Sequence, residues 1–124
     1  MTQFGRIRQA LIAAVILLVA GGFHAAYGAD QVAFEVVISK PKAGVSLEAL
    51  LQADKTMEQE FVAKQKGFID REVGVGKDGE VLVIVRWATI EDAEAAGALF
   101  MNDPFAKARA EMSDLSLFKH YIKQ

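Results

Sequence analysis

None of the 124 residues is a cysteine. That excludes disulfide support, a cysteine-based zinc cluster and a lipid anchor on an N-terminal cysteine. Proline is nearly as scarce, with only Pro41 and Pro104, so there is no proline-rich linker. A basic excess is missing too. Fourteen Lys+Arg stand against sixteen Asp+Glu, a formal net charge of −2. With no basic cluster, nucleic acid and anionic lipid are not expected as partners. There are two histidines, His24 and His120. Neither has a second His or a Cys in ligand spacing, so no metal site is expected. Tryptophan occurs once, as Trp87.

The long apolar run lies at the start. Arg6 and Arg8 precede an uncharged stretch from Ala10 to Gly22, and "HAAYGAD" follows with small residues. That order is a secretory signal peptide. The run is short against the ~20 apolar residues of a spanning helix. Ala26 and Gly28 place cleavage after Gly28, whereas a cut after Ala29 would put bulky Tyr27 third before it. Retention of the leader as an anchor is the alternative. No Arg pair precedes the run, which favours the general secretory route. The expectation is therefore a leader over residues 1–28 and a single periplasmic or secreted domain over residues 29–124, with no stable membrane anchor after cleavage. Losing Arg6 and Arg8 takes the net charge to −4. A domain this small and without disulfides commonly completes its core by pairing with a copy of itself.

Period-two alternation over Gln31–Lys40 predicts a strand. Ser46 then caps a helix running to Lys66. Its inner face is Leu47, Leu50, Met57 and Phe61; its outer face is Glu48, Asp54, Lys55, Glu58 and Lys66. Gly67 ends it. Two strands, Phe68–Val75 and Glu80–Ala88, flank the turn Gly76–Gly79. Thr89 caps a second helix, broken at Asn102–Pro104 into Ile90–Met101 and Pro104–Met112, with Asp103 and Pro104 as a fresh cap and first helical residue. A last alternating strand contains His120. The order strand-helix-strand-strand-helix-strand predicts an α+β, ferredoxin-like βαββαβ fold: a four-stranded antiparallel sheet with two helices on one face.

On the first strand Phe34, Val36 and Ile38 read as the helix-facing set, opposite Ala33, Glu35, Val37 and Ser39. On the third strand, Val81, Val83, Val85 and Trp87 alternate with Leu82, Ile84, Arg86 and Ala88, so both faces are largely apolar. A sheet wetted on one side alternates apolar with polar. This one therefore predicts a homodimer packed sheet to sheet.

Four places carry candidate chemistry. Glu35 is a carboxylate among apolar neighbours. It reads as a general base or as an ion pair with Arg86 or Arg71. His120 alternates with Phe118 and Ile122 and reads as a proton carrier or a satisfied core residue. Arg71 lies among apolar residues of its face, suggesting an anionic ligand group or an ion pair across the dimer, while Asp70 and Glu72 face solvent on an edge strand. Trp87 reads as core or as an aromatic wall for a flat ligand, with Phe100 and Met101 at the helix break lining the same pocket. "GVGKDG" closes a hairpin and opens no helix, so it is not a phosphate loop.

Glu35, "GFIDR" (Gly67–Arg71), "DGEVLVIVRW" (Asp78–Trp87), an Ala-rich helix through "FMNDPF" (Phe100–Phe105) and His120 in the last strand together resemble the antibiotic biosynthesis monooxygenase-like (ABM-like) domains of the dimeric α/β-barrel superfamily. The resemblance spans nearly all of residues 32–123. It implies two sheets closing into a barrel across a dimer, a pocket between sheet and helices in each protomer, and, in some members, oxidation of aromatics with dioxygen and no metal or flavin. The haem-degrading branch uses an Asn, a Trp and a His ligand. The matching positions here hold no Asn, Leu99 and Arg109, so that pattern is not met. Two functions follow as expectations. One is a cofactor-independent monooxygenase or isomerase for a small hydrophobic or aromatic molecule, with Glu35 or His120 moving the proton and Arg71 holding negative charge. The other is a non-catalytic ligand-binding or stress-related dimer.

Overall fold

The computed structural model describes residues 31–124; the leader expected over residues 1–28 and its cleavage site lie outside them. The elements run β1 (Ala33–Pro41), α1 (Leu47–Glu60), β2 (Phe68–Val75), β3 (Val81–Trp87), α2 (Ile90–Phe100), α3 (Pro104–Glu111) and β4 (Ser113–Ile122). All strand pairs are antiparallel in the order β2-β3-β1-β4. This is the expected ferredoxin-like α+β arrangement, with the second helix broken where Asn102–Pro104 predicted.

The helix starts follow local chemistry. Ser46 Oγ accepts from the Ala49 amide and Thr89 Oγ1 from the Asp92 amide, each at 3.1 Å. Asp103 Oδ1 accepts from Phe105 and Ala106 at 2.9 Å, with Pro104 as the first helical residue. Each cap satisfies amides that have no partner within the helix. α1 ends at Glu60, six residues before the expected Lys66, and a 3₁₀ turn over Val62–Lys64 follows. The change of winding lets the adjacent residues Phe61 and Val62 both enter the core; a continued helix would splay them about 100° apart.

The register reverses the expected faces of β1. Ala33, Glu35, Val37 and Ser39 pair with Trp87, Val85, Val83 and Val81, and this set faces the helices. Phe34, Val36 and Ile38 lie on the other face, beside Arg86, Ile84 and Leu82. The physical reason is fit. Ala33 is small enough to be sealed in the same core cluster as Ala93 and Ala96, and Ser39 and Glu35 find hydrogen-bond partners there. The bulkier set is left on the open face with Leu117 and the half-exposed Tyr121.

Gly67 has φ +83°, and a Cβ at this position would run into the Asp92 side chain. Gly44, at φ +84°, has open space around it. Gly67→Ala is therefore expected to cost well over the ~1 kcal/mol of a left-handed alanine, and Gly44→Ala about that amount. Urea denaturation of the two variants checks the ranking.

Candidate functional site

A cavity of about 400 Å³ lies between the sheet and the helices. Its floor is Glu35 and Val37 of β1 with Val83, Val85 and Trp87 of β3. Met57 and Phe61 at the α1 end and Ala96, Gly97 and Phe100 of α2 roof it. Arg71 of β2 and Arg109 of α3 supply one polar stretch of wall. Met101, Leu115 and Phe118 also line it and are 58%, 62% and 50% exposed, which makes them its apolar rim. Five of the six residues singled out from the sequence thus line one cavity: Glu35, Arg71, Trp87, Phe100 and Met101. The sixth, His120, is joined to it through Glu35. Arg71 and Trp87 lie on the same face of the sheet. Phe68 pairs with Trp87 but Asp70 with Arg86, so Ile69 is an extra residue at an irregularity that shifts the alternation of β2.

Glu35 and His120 are direct cross-strand partners of β1 and β4. Glu35 Oε2 lies 2.9 Å from His120 Nε2, and both side chains are largely shielded from solvent. The His120 ring packs edge-on against Phe118, with centroids 5.2 Å apart. This partner replaces the two expected from the sequence. Arg86 is on the opposite face, donating to Asp70 at 2.7 Å and lying over the Phe34 ring. Arg71 is taken up elsewhere, as follows.

The polar wall is a buried charge network. Arg71 donates twice to Asp54, Nη1 to Oδ2 and Nη2 to Oδ1, each at 2.7 Å. Arg109 Nε donates to Asp54 Oδ1 at 3.0 Å, and its other nitrogens donate to Ser113 Oγ at 2.7 Å and Ser39 Oγ at 3.2 Å. Glu58 stands 3.5 Å from Arg71 Nη1. Asp54 is 2% exposed, which overturns its expected place on the outer face of the first helix. The signal was present in the spacing: Leu47, Leu50, Asp54, Met57 and Phe61 step by three and four along one stripe. A charged residue on such a stripe calls for a buried partner. Arg71 accordingly answers Asp54, a carboxylate of its own chain.

Burial raises the Asp54 carboxyl pKa, but the hydrogen bonds and charge of Arg71, then of Arg109, outweigh it and hold the group below its ordinary value. Trp87 is 2% exposed, packs edge-on against Phe68 at 6.0 Å, and is the one described residue with a buried side-chain polar atom, Nε1, lacking a hydrogen-bond partner. Of the positions resembling the haem-degrading pattern, Leu99 is exposed and outside the lining, and Arg109 is committed to Asp54.

No family model and no curated sequence matches the chain. Solved structures do. SnoaB, a cofactor-independent oxygenase from Streptomyces nogalater, aligns over 76% of this chain and 92% of its own at 17% identity, TM-score 0.60. A Nitrosomonas europaea protein provisionally named an antibiotic biosynthesis monooxygenase aligns over 78% and 92% at 14% identity, TM-score 0.56. A Shewanella loihica protein provisionally named a monooxygenase aligns over 76% and 95% at 17% identity, TM-score 0.59. The fold is the ABM-like monooxygenase fold. At these identities the likeness extends to the fold alone. Within that ABM-like fold, the cavity and the two charge clusters described above belong to this chain's own residues.

Asp54 supplies a pH signature. A carboxyl with a depressed folded pKa stabilises fully above its unfolded value near about 3.9, and that stabilisation drains as pH falls through the lower folded value. Breaking a buried ion network costs about 3–5 kcal/mol. Wild type is therefore expected to exceed Asp54→Asn by about 3 kcal/mol at neutral pH. The gap should narrow steadily below pH 4 in a pH series of urea denaturations.

Proposed function

We propose that this protein is a small exported ABM-like dimer that binds a hydrophobic or aromatic molecule in the cavity and oxidises it with dioxygen, without a bound cofactor. The observation that carries the reading is Glu35, a carboxylate on the floor of a largely apolar cavity with His120 at its back. With His120 Nε2–H donating to Oε2, Oε1 is left to take a proton from an activated carbon of the ligand. The carbanion so formed is electron-rich enough to react with dioxygen. The balanced change turns one methylene carbon and one dioxygen into one carbonyl group and one water. The carbon gives up both hydrogens and is oxidised by four electrons. Dioxygen takes those four electrons, leaving one of its atoms on the carbon and the other in the water. Trp87, Phe100 and Met101 would hold the apolar body of the ligand. Arg71 and Arg109 are satisfied by Asp54, so their role here is to hold the wall in shape.

That same satisfaction favours a second reading, a binding module without turnover, because among the described residues lining the cavity no uncommitted cation stands ready for a developing anion. The readings part on Glu35. For the oxygenase, Glu35→Gln is expected to lose about 10²–10⁴-fold in turnover with ligand affinity kept within a few-fold. Oxygen uptake and calorimetric titration with hydrophobic phenols and fused-ring ketones measure the two quantities. Ligands that bind wild type and Glu35→Gln alike, with no oxygen uptake by either, would leave only the binding module.

The homodimer is part of the proposal. The open face of the sheet gathers Phe34, Val36, Ile38, Leu82, Ile84 and Leu117, an apolar surface that a second copy would cover. Light scattering of the leader-free domain is expected to give twice the protomer mass. Ile84→Glu, on the open face, should halve that mass while leaving the circular dichroism spectrum unchanged.

A further inference from the structure

Gly97 stands inside α2, three residues before its end. An interior helical glycine is less stable than alanine, so it invites a reason. Two common reasons fail. Its φ is not among the positive ones, which belong to Gly44, Gly67 and Gly79. Nor does any backbone or side chain crowd it: a Cβ placed there meets nothing within 4 Å. Gly97 is accessible and lines the cavity between Ala96 and Phe100, so the α2 backbone is bare at that edge of it. Trp87 of β3 lines the same cavity and brings the edge of an aromatic ring to its floor.

We propose that Gly97 sets the size of molecule the cavity accepts. The bare backbone of α2 is the surface over which the broad part of a ligand lies, with the β-sheet floor beneath. The ligand class is a neutral, rigid, multi-ring molecule, broader than one aromatic ring. The apolar lining disfavours a charged body, and both cavity arginines are already engaged by Asp54. The inference rests on the reading of the cavity as a ligand site, but not on any turnover there. A methyl group at position 97 would narrow the space for a broad ligand, and a branched side chain would close it. A single ring, held deeper against Trp87, would be spared.

Calorimetric titration with N-phenyl-1-naphthylamine, a neutral multi-ring probe, and with phenol, a single ring, tests this on wild type, Gly97→Ala and Gly97→Leu. Expected results are a melting temperature raised by about 3–6 °C in Gly97→Ala, as a helical alanine confers, together with several-fold weaker binding of the multi-ring probe. Gly97→Leu should bind that probe at least tenfold more weakly. Phenol affinity should stay within twofold in all three proteins. Unchanged binding of the multi-ring probe in both variants overturns the assignment of Gly97 while leaving the cavity reading standing. Equal losses for both probes overturn it as a size filter. Wild type that binds neither probe overturns the assignment and the ligand-site reading together.

Discussion

The carboxylate of Asp54 is the point at which most of this domain is joined. It receives Arg71 from β2 and Arg109 from α3, and Arg109 goes on to Ser39 of β1 and Ser113 at the head of β4. Five elements meet through one α1 side chain. The arrangement is polar because the alternatives are worse: two guanidinium groups shut away from water need a carboxylate more than they need a greasy neighbour. It also fixes where the cavity ends. Both arginines form part of its wall, and they hold that wall through hydrogen bonds of set direction rather than through packing, which would tend to fill the space.

The hollow itself follows from which residues face the helices. The helix side of the structure is rich in small side chains: Ala33, Ser39, Ala93, Ala96, Gly97 and Ala106. The bulkier set of β1 went to the other face. Reversing the faces would bring Phe34, Val36 and Ile38 under the helices and leave Glu35 and Ser39 without the partners they have here. One choice of register thus produces two features, a cavity on the helix side and an apolar sheet surface on the other.

Much of the fold was legible in the sequence. Ser46, Thr89 and the Asp103–Pro104 pair marked the helix starts because capping is local chemistry, and Gly76–Gly79 marked its hairpin for the same reason. The face of β1 was not legible, since both alternating sets are largely apolar and only contacts distant in sequence decide between them. Asp54 reads as an outer-face residue by its charge, although the three-four stripe of α1 passes directly through it. Of the cavity lining, Glu35, Arg71, Trp87, Phe100 and Met101 stand out in the sequence. What escaped was their wiring: the pairing of Glu35 with His120 and of Arg71 with Asp54 depends on cross-strand register and on an irregularity at Ile69, neither of which a single sequence displays.

The burial of Trp87 has an optical consequence. It is the only tryptophan in the chain, and it forms part of both the core cluster and the cavity floor. Emission excited at the long-wavelength edge of the protein's aromatic absorption band therefore comes from one indole with two neighbourhoods. Melting the core and occupying the cavity would both alter the same light, so a change in that emission identifies the event only when paired with a signal from the backbone.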